Sequence, residues 1–323
     1  MNIEDPNFNP GAIVDRVDTR DFQWSTIGKS SAPFDWNAGF DIETIVGTLP
    51  VKDQNGSYSC GGQAWATLAA VLEAVQTGKL EERSAKFIYS QTYQQGGGSS
   101  GRDNANIFIK QGAARETVLT SYDNGTPPAE PFMERSGDIT ATARADAATD
   151  KAYAYATVAF DFDTLAQAIR DNHGVIIGLY GQNNGTWNSP YPLPPTQNVW
   201  AHWIYAGKAK LINGKKYIGL LNSWGTAVGE QGWQWIEEGY VPAIWAAWTH
   251  VLASNLPYKF NTDFGFGATG EDVTQLQARL GVVQLGIFGP LTRAAVKGYQ
   301  SAHQIPNIGF VGPLTRACLN STV

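Results

Sequence analysis

One stretch of this 323-residue chain, Val51–Cys60, reads VKDQNGSYSC and ends on one of only two cysteines. A thiol attacks a carbonyl carbon only as its thiolate, so the chemistry needs an imidazole to take the proton and a third group to orient that imidazole. His202 and Asn222 follow downstream, in the runs AHW and NSWG. We therefore predict that Cys60 is a nucleophile, His202 its base and Asn222 the residue that orients His202.

An amide side chain also precedes the cysteine. The tetrahedral intermediate of acyl transfer needs hydrogen-bond donors aimed at its oxyanion. Gln54 can supply one such donor beside the backbone amide of Cys60. We predict that Gln54 and this amide form the oxyanion hole.

The order of these four residues resembles the papain family of cysteine peptidases. His202 follows Cys60 by about 140 residues, within the separation of about 130 to 150 found in papain-like enzymes. Asn222 lies slightly beyond that range, and an insertion with a hairpin tip at Asn213-Gly214 accounts for the excess. The most specific part of the resemblance is the pair of blocks LNSWG and EQGW, which begin at residues 221 and 230.

The resemblance implies an α+β fold with two lobes, one helical and one built on a β-sheet, and a catalytic cleft between them. It implies that Trp224 shields His202 and Asn222 from water. It also implies that the glycine run at 96–101, GGGSSG, pairs with an extended substrate backbone, with Gly97 and Gly98 as contacts. A plain flexible loop is the alternative for this run, and a phosphate-binding loop lacks the required Lys and Ser/Thr positions.

The sequence departs from the family pattern in two places. Gly61 stands where an aromatic residue usually follows the nucleophile, which leaves the contacts to the leaving group open. Cys318, near the end of the chain, is the second cysteine, so the disulfides of the family cannot form in the usual way. So few cysteines suit a reducing compartment.

Hydrophobic periodicity predicts the elements that carry the site. The region 64–76 has apolar residues at helical spacing, which places Cys60 just before a helix N-terminus, where the dipole favours a thiolate. Regions 174–180, 202–207 and 216–221 read as strands, with a helix at 164–170 before them. His202 is then expected at a strand start and Asn222 at a strand end, on a sheet that faces the helix.

Residues 1–31 form a polar tail that is short for an inhibitory prosegment of this family. We expect the tail to lie across the catalytic domain, which we place at 32–258; a latency segment is one interpretation of the tail, and the sequence does not decide whether it inhibits. Phe22 and Trp24 are apolar residues in this polar segment, and we expect them to dock in or near the cleft.

The region 259–323 contains an internal repeat. The run FGPLTRAAV, which includes Gly289, recurs as VGPLTRACL around Gly312, an offset of 23 residues (312 − 289 = 23). Each copy reads as a turn followed by a helix with an early proline, and the run 270–280 supplies a first helix. The segment resembles the three-helix peptidoglycan-binding domain, which implies binding of peptidoglycan or another cell-wall glycan. A packing role, or binding of a different polymer, is the alternative.

Composition excludes several classes of partner. A net charge of −6 without a dense basic cluster argues against nucleic acid, and no apolar run reaches the roughly 20 residues of a membrane span. His173, His250 and His303 are isolated, so we expect no metal, and nothing in the sequence indicates a cofactor. The N-terminal sequence lacks the pattern of a secretory signal, which suggests a chain that is cytoplasmic, released by lysis or associated with the cell wall.

Together these features predict a cysteine endopeptidase that hydrolyses protein or peptide substrates through an acyl-enzyme and is targeted to the cell wall by its C-terminal module. Two alternatives stay open. The same site could cleave peptidoglycan crosslinks, as in a lysin of bacterial or phage origin, or the protein could be an inactive wall-binding or virion component. The complete set Cys60, His202, Asn222 and Gln54 favours an enzyme.

Overall fold

The structure is a computed structural model that describes residues 10–16, 18, 21–27, 32–149, 154–251, 258–283 and 285–321. The chain divides into two compact units, Met1–Ser254 and Asn255–Val323. The predicted limits of the tail and of the catalytic domain, after residues 31 and 258, stay predictions.

Several helices of the first unit pack around a long central helix. Nearly every side of that helix, Cys60–Thr77, is buried, as expected for a helix inside a domain. In chain order the helices are α1 Trp24–Ile27, α2 Glu43–Val46, α3 Cys60–Thr77, α4 Ala85–Thr92, α5 Gly101–Gln111, α6 Glu130–Met133, α7 Ala141–Ala147 and α8 Phe162–Asn172, with 3₁₀ turns at Ser136–Asp138 and Glu238–Ala243. Gly62 lets α4 approach α3, because a Cβ at Gly62 would lie 2.8 Å from the Cβ of Tyr89.

A large sheet forms the other part of the first unit. The strands are β1 Ala12–Ile13, β2 Phe22–Gln23, β3 Phe40–Asp41, β4 Ser99–Ser100, β5 Ala154–Thr157, β6 Val175–Gly181, β7 Trp200–Ile212, β8 Lys215–Leu221, β9 Trp233–Glu237 and β10 Ile244–Val251. Within the described residues the sheet has eight strands in the order β2-β5-β10-β6-β7-β8-β9, and β3 pairs with β7. The pairs along this path are antiparallel except β2–β5, which is parallel.

The predicted elements around the site are confirmed, with changes at their ends. The strand expected at 202–207 is the first half of β7, which continues into a hairpin with β8. Asn213 and Gly214 form the hairpin tip with φ angles of 52° and 77°, the left-handed conformation that asparagine and glycine tolerate best. The helix expected at 64–76 begins earlier, so Cys60 is its first residue. The α+β class predicted from the sequence is confirmed.

The second unit is a small helical domain with the helices α9 Glu271–Arg279, α10 Pro290–Ala302 and α11 Pro313–Ser321. Its two sequence repeats make the same contacts. Gln277 donates to Ile287 O and Thr292 Oγ1, each at 2.9 Å, while Gly286 N–H donates back to Gln277 at 2.9 Å. Gln300, 23 residues later, makes the equivalent three bonds to Phe310, Thr315 and Gly309. The repeat in sequence is therefore a repeat in structure.

Each unit has its own apolar core. The core of the second unit is formed by Phe260, Phe264, Val273, Leu276, Phe288, Val296, Val311 and Leu319. None of the helices in the described ranges is long and apolar enough to span a membrane.

Candidate active site

Cys60 lies at the N-terminus of α3, and its side chain is fully buried. The backbone amides of Trp203 and Gly61 donate toward its sulfur. Because Trp203 follows His202 on β7, these contacts bring the predicted nucleophile next to the strand that carries the predicted base. The helix N-terminus and the two amides are the electrostatic features that can favour a thiolate here.

His202 is held in one orientation by Asn222. His202 Nε2 and Asn222 Oδ1 are 2.9 Å apart, and the same Oδ1 accepts the Ser223 N–H at 2.8 Å. Asn222 Nδ2 donates to Gln234 Oε1 at 2.6 Å, which fixes the amide so that its oxygen faces the imidazole. Nε2 must then carry the proton, and Nδ1 is left as the basic nitrogen.

His202 Nδ1 is buried and, within the described part of the chain, has no hydrogen-bond partner. It is thus able to accept a proton from a thiol. The ring of Trp224 stacks on the imidazole with centroids 4.8 Å apart and an interplanar angle of 26°, which covers one face of the base. This placement agrees with the shielding role that the family resemblance implies for Trp224.

Gln54 is buried and held by several hydrogen bonds. Its Oε1 accepts from Ser223 Oγ at 2.8 Å, and its Nε2 donates to Ser57 O at 2.8 Å. The second Nε2 hydrogen is directed at the carbonyl oxygen of Pro10, 2.9 Å away. The amide predicted to bind an oxyanion therefore already binds a carbonyl oxygen of the N-terminal tail.

The tail continues from Pro10 along the predicted glycine ridge. Its strand β1 pairs in parallel with β4, and the Ser99 N–H donates to Gly11 O at 3.0 Å. Gly11 adopts φ +97°, and a Cβ at this position would clash with the carbonyl group of Tyr58. Within the described residues of the tail, Pro10 and Gly11 contact the nucleophile loop, residues 51–59 before Cys60, and Ala12–Ile13 pair with β4. By contrast, Phe22 pairs with Ala156 of β5 and is half exposed.

The two predicted substrate-contacting glycines lie beside this strand of the tail. Gly98 adopts φ +91°, and a Cβ on it would clash with the Gly11 carbonyl, so an extended backbone runs directly against it. The Gly98 N–H donates to Tyr89 Oη at 2.9 Å, and its carbonyl accepts the Gln94 N–H at 3.0 Å. Gly97 lies under the ring of Tyr58. Their role as substrate contacts stays a prediction.

Burial shifts the pKa values of both predicted reacting groups away from those that would favour a thiolate–imidazolium ion pair. Burial raises the pKa of the Cys60 thiol to about 12, although the backbone hydrogen bonds from Trp203 and Gly61 act to lower it. Burial also lowers the pKa of His202 to about 4, against the opposing effect of its hydrogen bond to Asn222. At neutral pH this covered site therefore contains a thiol and a neutral imidazole.

The structure explains the glycine that follows the nucleophile. A side chain at Gly61 would clash with Nδ2 of Asn104, which donates to Ser99 Oγ at 2.9 Å. Asn104 Oδ1 accepts from Thr92 Oγ1 at 2.7 Å, so the amide is fixed on both sides. Asn104 takes the space that an aromatic residue at position 61 would need.

Sequence reasoning did not single out Gln234, Ser223 or Asn104. Gln234 is buried, and its Nε2 donates to Trp187 O at 2.6 Å, so it links the amide of Asn222 to the loop before β7. The NSWG run contains Ser223, but nothing in its type indicates a bond to Gln54. Among the described residues, no three His, Cys, Asp or Glu side chains come together as a possible metal site.

Comparison with known proteins gives a family match within the second unit and structural matches that cover most of the chain. Residues 269–319 match the family described as "Putative peptidoglycan binding domain". No curated protein sequence matches the chain. Among solved structures, xylellain, a cysteine protease from Xylella fastidiosa, is similar with a TM-score of 0.60 and 22% identity, over 75% of this chain and 96% of that chain.

Two eukaryotic structures show the same likeness. Digestive procathepsin L 3 of Tenebrio molitor has a TM-score of 0.55 and 18% identity, over 69% of this chain and 72% of that chain. Bromelain of Ananas comosus, solved with the E64 inhibitor, has a TM-score of 0.52 and 17% identity, over 66% of this chain and 98% of that chain. The chain therefore has the fold of the papain-like cysteine proteases, and its C-terminal segment matches a peptidoglycan-binding family.

Proposed function

We propose that this protein is a cysteine endopeptidase whose C-terminal unit binds peptidoglycan or a related cell-wall glycan. The observation that carries the proposal is the hydrogen bond between His202 Nε2 and Asn222. It leaves Nδ1 as the base of a buried imidazole, on a strand whose next residue contacts the sulfur of Cys60.

In this mechanism His202 Nδ1 takes the thiol proton of Cys60 as the sulfur attacks the peptide carbonyl. The carbonyl oxygen becomes an oxyanion that accepts hydrogen bonds from Gln54 Nε2 and the Cys60 N–H. Collapse of the intermediate breaks the C–N bond, and His202 gives its proton to the departing amine. Water, deprotonated by His202, then hydrolyses the thioester, which releases the acid product and returns the thiol.

The N-terminal tail keeps the site latent in this proposal. Its Pro10 carbonyl takes the hydrogen bond of Gln54 that a substrate oxyanion requires, and its strand β1 occupies the backbone partners beside Gly98. A substrate must displace this segment before its carbonyl can reach Cys60. Exposure of the site to water would also reduce the burial that keeps the thiol and the imidazole neutral.

A second candidate function is cleavage of the peptide crosslinks of peptidoglycan. The family match at residues 269–319 favours it, since a wall-binding unit brings the enzyme to that polymer. The chemistry of Cys60 and His202 is the same in both cases, so substrate choice depends on the cleft.

The test compares the wild-type chain with Cys60→Ala in three assays: alkylation by an epoxide that traps reactive thiolates, cleavage of casein, and release of peptides from purified peptidoglycan. Alkylation at Cys60 with casein cleavage supports the endopeptidase. Alkylation with activity on peptidoglycan alone supports the lysin. Absence of alkylation and of both activities, also after the tail has been displaced, would contradict both and favour an inactive binding protein.

A further inference from the structure

One carboxylate outside the predicted catalytic residues links two segments that contact Gly11 of the tail. The segments are the loop before Cys60, which contains Tyr58, and the glycine turn that contains Gly98. Glu130, the first residue of α6, accepts the Tyr58 N–H at Oε2, 2.7 Å away. Its other oxygen, Oε1, accepts from the hydroxyl group of Tyr89 on α4. The same hydroxyl oxygen accepts the Gly98 N–H at 2.9 Å. One side chain thus holds, directly or through Tyr89, two backbone amides that are far apart in sequence.

The two amides belong to the two sides of the same groove. Tyr58 lies two residues before Cys60, in the loop that also carries Gln54, and its carbonyl faces Gly11 of the tail. Gly98 leads into β4 and lies against the Gly11 carbonyl from the other side. The ring of Tyr58 also covers Gly97. The spacing between the loop before Cys60 and the glycines 96–98 therefore depends on the contact of Tyr58 with Gly97 and on the hydrogen bonds that lead to Glu130.

Tyr89 cannot shift easily to compensate for a lost partner. Its Cβ packs against Gly62 of α3, where only a glycine leaves enough room, and its side chain is fully buried. Its hydroxyl group has one hydrogen, which it gives to Glu130, and its oxygen takes the hydrogen of Gly98. The three hydrogens of this network, from Tyr58 N–H, Tyr89 O–H and Gly98 N–H, each have one acceptor. The network ends at the carboxylate of Glu130.

We propose that Glu130 is a positioning residue of the active site, which acts through Tyr58 and Tyr89 to set the width of the groove that receives the extended substrate backbone. This inference rests on the proposed peptidase function. A carboxylate suits the position because both of its oxygens face donors, the Tyr58 N–H and the Tyr89 O–H. A glutamine would turn its NH₂ group toward one of these two donors, and an alanine would accept from neither.

The test uses the full chain carrying Gly11→Val, which displaces the tail, with Glu130→Ala, Glu130→Gln or Tyr89→Phe added. We expect Glu130→Ala to lower kcat/KM for an extended peptide substrate by about 10- to 100-fold, mainly through a higher KM, because a groove of the wrong width loses binding to the substrate backbone. Glu130→Gln should fall between Glu130→Ala and the parent. Alkylation of Cys60 by iodoacetamide does not need the groove, and it should not become slower, because the charge of Glu130 acts to raise the pKa of the thiol.

Glu134→Gln is the matched control, since it removes an acidic group one helical turn away on the same segment. It should leave kcat/KM unchanged. Unchanged kinetics in both Glu130 variants would overturn the inference, and so would an equal loss of turnover and of iodoacetamide reactivity, since that pattern means general disruption. Should Glu130→Ala fail to fold, Glu130→Gln and Tyr89→Phe decide between the same outcomes.

Hydrogen exchange separates a failure of this inference from a failure of the proposed function. The amides of Tyr58 and Gly98 should exchange faster in Glu130→Ala than in the parent, whether or not any peptide is cleaved. Tyr89→Phe should expose Gly98 more than Tyr58. Unchanged exchange at both amides in every variant would overturn the positioning role even in an active enzyme.

Discussion

At the scale of single residues, the orientation of His202 depends on a chain of amides. Asn222 Oδ1 faces Nε2 because its Nδ2 is held by Gln234, whose own Nε2 is held by Trp187. Each link fixes which end of the next amide is oxygen and which is nitrogen. Gln234 and Trp187, which do not hydrogen-bond the imidazole themselves, thereby help to determine which of its nitrogens carries the proton.

The first prediction concerns this chain. Asn222→Ala removes the acceptor of the His202 Nε2–H and leaves Gln234 Oε1 without its donor. We expect kcat to fall by about 100-fold with a smaller change in KM, because a misdirected base costs alignment more than binding. Steady-state kinetics with a peptide substrate measure this effect. Equal kcat in Asn222→Ala and the wild type would contradict the role assigned to Asn222.

The second prediction concerns the residue after the nucleophile. Gly61→Ala pushes Asn104 off Ser99 and Thr92, so we expect the free energy of unfolding to fall by about 1 to 3 kcal/mol, the range for overpacked sites. Gly56→Ala is the control, because nothing lies within 4 Å of its added Cβ. Urea denaturation followed by fluorescence measures both, and an equal effect of the two changes would show that Asn104 does not fill this space.

The sequence indicates the candidate catalytic residues more readily than the residues that hold them in place. Cys60, His202, Asn222 and Gln54 can be predicted because their chemistry and order are distinctive, and their catalytic roles stay predictions. Gln234 and Asn104 are ordinary polar residues in sequence, and only burial and the position of their partners give them a role. Their partners come from other strands and loops, so no local pattern could indicate them.

At the scale of secondary-structure elements, β10 contains a buried histidine, His250, that lowers the stability of the folded state at acid pH. His250 is fully buried, and within the described residues neither ring nitrogen has a hydrogen-bond partner. Burial, together with a smaller effect of the neighbouring His173, lowers its pKa to about 3. The folded state therefore leaves His250 neutral at pH values where the unfolded chain would protonate it.

The third prediction follows from this difference. The pKa of His250 is lower in the folded than in the unfolded chain. Its contribution to the free energy of unfolding is therefore constant above the unfolded pKa of about 6.5 and falls as the pH decreases toward the folded pKa of about 3. Between pH 7 and pH 5 we expect His250 to account for a loss of about 2 kcal/mol, at 1.36 kcal/mol per pKa unit. His250→Phe should remove that part of the loss.

Tryptophan fluorescence is a suitable readout for this prediction. All 11 tryptophans lie between residues 24 and 248, in the first unit, so the signal reports only on that unit. His303→Phe, a change in the second unit, is the control and should keep the wild-type pH dependence. The same acid sensitivity in His250→Phe and the wild type would contradict the account.

Among the elements, the tail is the one whose docking residues the sequence did not indicate. Phe22 and Trp24 are the apolar residues of the tail, but within the described residues the contacts with Gln54 and β4 come from the backbone of Pro10–Ile13 and from the carboxylate of Asp15. Main-chain pairing depends little on residue type, so a two-residue strand leaves no periodic signal. The helix and strands around the site are longer, and their hydrophobic patterns did predict them.

At the scale of the whole molecule, the second unit has exposed apolar side chains at the same three positions of both repeats. Leu285, Ile287 and Leu291 are exposed, and so are their counterparts 23 residues later, Ile308, Phe310 and Leu314. Duplicated surfaces suit a ligand that is itself repetitive, such as a polymer of the cell wall.

The fourth prediction tests this surface. In a Cys60→Ala chain, which cannot cleave, we expect Leu291→Ser with Leu314→Ser to reduce cosedimentation with purified peptidoglycan by about tenfold or more, because both copies are weakened. Each single change should have a smaller effect. Val283→Ser is the control, since Val283 is exposed but has a proline at the equivalent position of the second repeat. Unaltered binding by the double variant would exclude this surface.

The sequence predicts a tail, a catalytic domain and a C-terminal module; the structure has two compact units, and the limits at residues 31 and 258 stay predictions. The strand order of the sheet could not be predicted from the sequence, because β10 pairs with β5 and β6, which lie far away in the chain. Such pairings depend on how the strands of the sheet pack together against α3 and α8. The repeat of the second unit could be found because it is local and nearly identical in both copies.

The central claim is that Cys60 is a nucleophile kept covered by Pro10–Ile13, and the rate of its alkylation by the epoxide tests it most directly. Gly11→Val gives the tail a side chain that clashes with the Tyr58 carbonyl at a φ of +97°, whereas Val14→Ser changes an exposed tail residue and serves as control. We expect Gly11→Val to raise the alkylation rate and casein cleavage by about tenfold or more, as loss of about 1.4 kcal/mol of docking energy implies. Val14→Ser should match the wild type, and Cys60→Ala should not react. A Cys60 that stays unreactive in Gly11→Val, or that reacts equally fast in all chains that contain it, would contradict the account.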